Sequence, residues 1–264
     1  MVTGQGAIMD LHAPTTGSGP VVVLLHGFPH THRVWDPVLP HLDGSTVVTP
    51  DLRGFGDSPR VDGQDVATSA RDVLDTVREE RFDVVGIDAG APVAVFLAAE
   101  HPERVRSLTA CEAVLGGLPA HGFAAPWWFG FHQVPGLAET VLSGNERAYV
   151  DFFLDAGAPR GVPEDIREAV RAAYAAPGAL RCAFQFYREM ARSAEQVRGI
   201  GEVTVPAMAV GADVVGDVLE RQLRPIAADL VGRRIRDCGH IVPLERPEVF
   251  GPLLRDFLAA QRSG

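Results

Sequence analysis

The segment Phe82–Ala94, FDVVGIDAGAPVA, constrains the chain more than any other. A β-branched apolar run leads into Gly86-Ile87-Asp88-Ala89-Gly90 and then into small residues. This pattern predicts a buried strand, a sharp turn and a helix. Backbone that turns so tightly has no room for side chains two positions either side of its centre, and the two glycines stand at those positions. Asp88 at the centre is thereby presented at the end of a strand. An aspartate before a helix is often only an N-cap, worth about 1 kcal/mol, so its meaning depends on what else the chain carries.

Further short β-branched runs recur at Val21–Leu25, Thr46–Thr49, Val105–Cys111, Val203–Val210 and Val231–Arg236, with helical stretches between several of them. Val66, Ala70, Val73 and Val77 share one helical face, as do Phe250, Leu253, Leu254, Phe257 and Leu258. Alternation of this kind predicts an α/β fold with a mostly parallel sheet flanked by helices. It stops after Glu112. From Leu115 to about Gly201 the pattern is helical, rich in aromatics and broken by Pro and Gly, which predicts an inserted helical cap. The expected division is a core of residues 1–114 and 201–264 with a cap of residues 115–200. Thr15–Pro20, TTGSGP, reads as a loop leading into the first clear strand, and the first edge strands are expected to be reduced.

At 264 residues with 46% hydrophobic content the chain can bury a real core. All 24 basic residues are arginine, and the net charge of −10 leaves no basic patch for phosphates, which argues against nucleic acid. The three cysteines, Cys111, Cys182 and Cys238, form no C-x-x-C pair and read as reduced, buried thiols. The start, MVTGQGAIMDLHAP, has no leader pattern, and no apolar run approaches the ~20 residues that span a bilayer. The expectation is a cytoplasmic protein with no membrane contact; a homodimer is admitted. His26, His30 and His32 lack a matching carboxylate or thiol set, so no metal is expected.

His26-Gly27-Phe28-Pro29 directly follows one strand, and Asp237-Cys238-Gly239-His240 directly follows the last. HGFP, PDLRGFGDS (residues 50–58), GIDAG and CGH, in this order over nearly the whole chain, resemble the α/β-hydrolase superfamily. That resemblance makes Asp88 the nucleophile and His240 the base, and places oxyanion-binding N–H groups at Phe28 and Ala89. Serine is the usual nucleophile at this position. An aspartate instead attacks a saturated carbon and forms an ester of the enzyme, which a histidine-activated water hydrolyses. Within the superfamily this resembles the epoxide hydrolases and the haloalkane and haloacetate dehalogenases.

Two carboxylates compete to orient His240: Glu112, just past a strand, and Asp213, in the GADVVGD loop, with Asp217 further along. CEAVLG resembles the segment carrying the acid in bacterial epoxide hydrolases and fluoroacetate dehalogenases, which favours Glu112. The cap segment Pro126–His132, PWWFGFH, and the segment Phe184–Arg188, FQFYR, resemble the cap of the same bacterial branch. The resemblance makes Tyr187 a donor to the leaving oxygen and puts Trp128 where that branch has histidine. His132 is the alternative partner, Tyr149 and Tyr174 are weaker candidate donors, and Trp127, Phe131, His132 and Phe184 are expected to bind substrate. Fluoroacetate dehalogenases carry arginines where this chain has Ala89 and Pro92, which argues against a carboxylate substrate.

The expected activity is hydrolysis of a bulky or aromatic epoxide to a vicinal diol without a cofactor, in the manner of epoxide hydrolases of natural-product biosynthesis. The alternatives are a haloalkane-type dehalogenase and a non-hydrolytic ligand-binding member of the fold.

Overall fold

The computed structural model describes residues 9–262. The first eight residues of the segment read for a leader lie outside the described residues. Seven strands form one sheet: β1 (Thr15–Gly17), β2 (Val21–Leu25), β3 (Thr46–Val48), β4 (Phe82–Ile87), β5 (Val105–Cys111), β6 (Ala207–Gly211) and β7 (Leu230–Arg234). Their order is β1-β3-β2-β4-β5-β6-β7. β1 runs antiparallel to β3, and every other pairing is parallel. Parallel strands covered on both faces need continuous apolar runs rather than alternation, and β2 and β4 are buried along their whole length.

Helices α1 (Val66–Thr76) and α2 (Gly90–Glu100) lie between β3 and β5 in sequence. The Asp65 side chain caps α1 by accepting from the Thr68 N–H at 3.1 Å. α2 is apolar on nearly every side and packs against β4 and β5. Between β5 and β6 the chain forms six helices and no named strand: α3 (Trp127–Gln133), α4 (Leu137–Leu142), α5 (Glu146–Gly157), α6 (Glu164–Ala175), α7 (Ala179–Arg188) and α8 (Met190–Arg198). After β6 come α9 (Val218–Leu223), α10 (Val242–Glu245) and α11 (Pro247–Arg262). The helical layer is tied to the sheet domain by Ser193 Oγ, which accepts from the Val66 N–H, and by the ion pairs Arg33–Asp165 and Arg181–Asp62.

The expected strands Val21–Leu25 and Val105–Cys111 match in both bounds, the strand in Phe82–Ala94 ends at Ile87, and two of the differences have clear local causes. Thr15–Pro20 is not all loop: its first three residues form β1, an exposed polar edge strand that leaves no apolar signal. The run Val203–Val210 starts its strand only at Ala207, after Pro206, whose nitrogen cannot donate to a ladder. Val203 instead makes an isolated bridge to Ala227.

β4 carries one fully buried charge, Asp83. Arg106 and Ser107 each donate to it at 2.7 Å, and Arg262, near the end of α11, donates at 3.1 Å. Replacing Asp83 removes the acceptor shared by β5 and α11. Asp83→Ala is expected to cost about 2–3 kcal/mol in urea denaturation, whereas Asp256→Ala, which loses only an exposed pair with Arg255, stays within about 0.5 kcal/mol.

Candidate active site

The site lies at the carboxyl ends of β2, β4, β5 and β6, where open α/β sheets gather their ligands. Asp88 sits between β4 and α2 with φ +50°, a left-handed conformation that side chains normally avoid. A Cβ on Gly86 would collide with the carbonyl of Gly90, and one on Gly90 would collide with the carbonyls of Leu25 and His26. Gly27 has a Cβ position already taken by the Asp88 side chain. All three glycines are therefore required by close approach, and together they press the loop after β2 against the Asp88 carboxylate.

That approach has an electrostatic result. The Phe28 N–H donates to Asp88 Oδ2 at 2.7 Å, and the Ala89 N–H also donates to the carboxylate. Burial by itself would raise the Asp88 carboxyl, but His240 and these two N–H groups outweigh it and hold the group below its ordinary value. Asp88 is an anion at neutral pH. Its Oδ1 faces His240 Nε2 at 3.7 Å, beyond a direct hydrogen bond.

His240 Nδ1 meets Glu112 Oε2 at 3.2 Å. Glu112 stands just past β5 with φ +40°, is completely buried, and accepts the backbone N–H groups of Ala212 and Val215. Of the two competing carboxylates, this one contacts the histidine. Asp213 turns away, accepting from the Cys238 N–H at 3.2 Å and facing Arg234 at 3.5 Å, while Asp217 pairs with Arg221. The GADVVGD loop thus serves to clamp Glu112, and its Val214 and Val215 also line the cavity. Burial works against a charged imidazole at His240, but the flanking carboxylates Asp88 and Glu112 prevail and raise its pKa to about 10.

Above Asp88 lies a cavity of about 360 Å³. Trp128, Phe129, Phe153, Phe186 and Met190 supply much of its apolar wall, and no arginine among the described residues borders it. Tyr187 also lines it, and its hydroxyl has no hydrogen-bond partner among the described residues. Burial, with the Asp88 charge added, pushes that phenol well above its ordinary pKa, so it remains a donor. The other two tyrosines are committed elsewhere. Tyr174 donates to the His30 carbonyl at 3.3 Å, and Tyr149 hydrogen-bonds His132 Nε2 at 2.5 Å.

Four expected substrate contacts do not reach this cavity. His132 and Phe184 are fully buried and stacked on each other behind Phe28, with ring centroids 4.2 Å apart. Phe131 packs on Trp127 and His132, and Trp127 is 60% exposed on the outer surface of the helical layer. The short helix α3 explains the difference: residues one place apart on a helix point to different sides, so Trp128 faces inward while Trp127, with Phe131 four places on, faces away. With Trp128, the aromatic wall is supplied by Phe129, Phe153 and Phe186, which sequence reasoning missed; Phe186 had a signal only in being next to Tyr187. Among the histidines read for metal, His32 does lie near others: His12, His32 and Asp51 have donor atoms within 4.8 Å of one another. Asp51 is already held by His32 and the Asp57 N–H.

Known proteins of similar sequence and fold can be identified. Residues 20–149 match the family model of the alpha/beta hydrolase fold. The chain is 31% identical over 258 residues to the soluble epoxide hydrolase of Corynebacterium sp. (strain C12), covering 90% of each. It is 29% identical over 279 residues to the fluoroacetate dehalogenase of Burkholderia sp., covering 94% of this chain and 90% of that one. The solved structure of the epoxide hydrolase CorEH without ligand superposes with a TM-score of 0.87 at 28% identity, covering 96% of this chain and 97% of that one.

The electrostatics of the site can be tested without a substrate. Glu112→Gln removes one of the two anions beside His240 and should lower its pKa from about 10, whereas Asp213→Asn should leave it unchanged. An NMR titration of the His240 ring protons reads both.

Proposed function

The chain belongs to the α/β-hydrolase fold family, and we propose that its reaction is hydrolysis of an epoxide to a vicinal diol through an ester formed on Asp88. One observation carries this reading. An ionised aspartate occupies the nucleophile position, with its Oδ2 bound by the Phe28 N–H, while a tyrosine hydroxyl without a partner borders the same cavity.

Each step then has a group. Asp88 Oδ1 attacks a ring carbon, the C–O bond of the epoxide breaks, and Tyr187 gives a proton or hydrogen bond to the oxygen that leaves the carbon but stays on the substrate. Trp128 shares the wall with Tyr187 and supplies its indole N–H as a second donor. Alkylation removes the negative charge of Asp88. The interaction with one of the two carboxylates that raise the His240 pKa is then lost, and the imidazole gives its proton through solvent to the new alkoxide or to Tyr187, which leaves it neutral and able to act as a base. His240, oriented by Glu112, takes a proton from water as the water attacks the Asp88 carbonyl carbon. Charge on the carbonyl oxygen develops where the Phe28 and Ala89 N–H groups already point. Collapse breaks the bond to the ester oxygen, His240 gives its proton to that oxygen to release the diol, and Asp88, left as an acid, passes its proton back to His240.

An apolar, aromatic-walled cavity supports a bulky or aromatic epoxide of the kind handled in natural-product biosynthesis, with residues 115–200 as the cap that encloses it. The missing cation at Ala89 and Pro92, and along the whole wall, disfavours a carboxylate-bearing haloacetate. A neutral alkyl halide is the second reading, favoured by the Trp128 indole on the cavity wall.

Intact mass separates these. His240→Ala, incubated with styrene oxide, should accumulate an adduct of the whole substrate mass at Asp88, and Asp88→Asn should give none. With a chloroalkane, an adduct lacking hydrogen chloride would support dehalogenation instead. Failure of folded His240→Ala to form either adduct would remove the covalent reading.

A further inference from the structure

We propose that His30 holds the water that hydrolyses the Asp88 ester, working beside His240; this rests on the reading of the site given above. His30 borders the same cavity as Asp88 and His240, it is buried, and neither of its ring nitrogens has a hydrogen-bond partner. A buried polar group left unpaired costs about 1–3 kcal/mol, so a position that keeps an unpaired imidazole beside the reacting groups calls for an occupant that hydrogen-bonds to it.

The neighbouring histidines show what a structural role looks like in this loop. His26 Nδ1 lies 2.9 Å from the Gly27 carbonyl, and its Nε2 accepts the Leu52 N–H at 3.0 Å. His32 Nδ1 is engaged by Asp51 at 3.0 Å. His30 alone of the three is left for the cavity. Its backbone is fixed on both sides: its N–H donates to the Gly27 carbonyl at 2.9 Å and its carbonyl accepts from Tyr174. The same loop donates from Phe28 to Asp88, so the imidazole keeps a set position relative to the carbonyl carbon that water must attack.

The chemistry suits a neutral imidazole. Burial, partly opposed by the charge of Asp88, brings the His30 pKa down to about 3, so this ring stays uncharged and does not compete for the proton. One nitrogen accepts a hydrogen bond and the other donates. In hydrolysis the water oxygen forms its bond to the Asp88 carbonyl carbon, one water proton passes to His240 Nε2, and the other water hydrogen is held by the acceptor nitrogen of His30. The bond from that carbon to the ester oxygen, which came from Asp88 Oδ1, then breaks, the proton on His240 goes to that departing alkoxide, and the acid left on Asp88 returns its remaining proton to His240. His30 gains and loses nothing. It fixes where the water's lone pair points, a placement worth about 10- to 100-fold in rate.

Rapid-quench kinetics with styrene oxide test this, because they separate ester formation from ester breakdown. His30→Leu is expected to form the Asp88 ester within about threefold of the wild-type rate and to hydrolyse it 10- to 100-fold more slowly, so that the adduct accumulates. His30→Gln, which keeps a donor and an acceptor, should recover most of the loss. Ester formation itself certifies a folded site, and should His30→Leu fail to fold, His30→Gln against His30→Ala makes the same comparison. Unchanged hydrolysis in the apolar variants, or an equal fall in both phases, would overturn the role of His30 alone. No adduct in His240→Ala would overturn the epoxide reading and the role of His30 together.

Discussion

The site depends on one close approach of backbone to backbone. The turn at Asp88 can be made only because Gly86 and Gly90 have no side chains, and the loop after β2 can reach the carboxylate only because Gly27 has none. Asp88, Glu112 and Asp237 are the non-glycine residues with positive φ among the described residues, and all three lie just past strands that feed the site. Each such conformation costs about 1–3 kcal/mol and persists only where its surroundings enforce it. The enforcing surroundings are buried strands on both sides of β4, so the apolar runs that build the sheet also hold the strained turns in place.

What the turns accomplish is the placement of charge. Two carboxylates, Asp88 and Glu112, flank one imidazole, and backbone N–H groups aim at each carboxylate in turn. In the resting state this arrangement favours anion–cation–anion, the charge state the proposed reaction needs for Asp88 to attack first. In the proposed reaction, converting Asp88 to an ester removes one of the two anions and with it much of what keeps His240 protonated. The order of the two chemical steps of that proposed reaction follows from the charge balance, and the cavity above offers donors to the oxygen that leaves.

Much of this was legible in the sequence because it rests on local constraints. A strand needs a continuous apolar run, an elbow needs glycines at fixed offsets, and the loops carrying Phe28 and His240 each follow such a run directly. Glu112 as the histidine's partner was favoured from its segment; the backbone N–H groups of Ala212 and Val215 that fix it were not visible, since they come from about a hundred residues away. The helical layer between β5 and β6 was less legible. Short helices offer too few turns to show which face is inward, so Trp127 was expected at the substrate and lies outside, while Phe153 and Phe186 were missed. β1 left no signal at all, being polar and exposed.

The central claim is that an oxygen of Asp88, and not of water, enters the product first. A single turnover of a stoichiometric amount of styrene oxide in 18O-enriched water tests it most directly. The account predicts a diol that carries no 18O after the first turnover, and 18O in the Asp88 carboxylate by peptide mass spectrometry. A first-turnover diol fully labelled with 18O, with Asp88 unlabelled, would mean that water attacks the substrate directly and would contradict the ester.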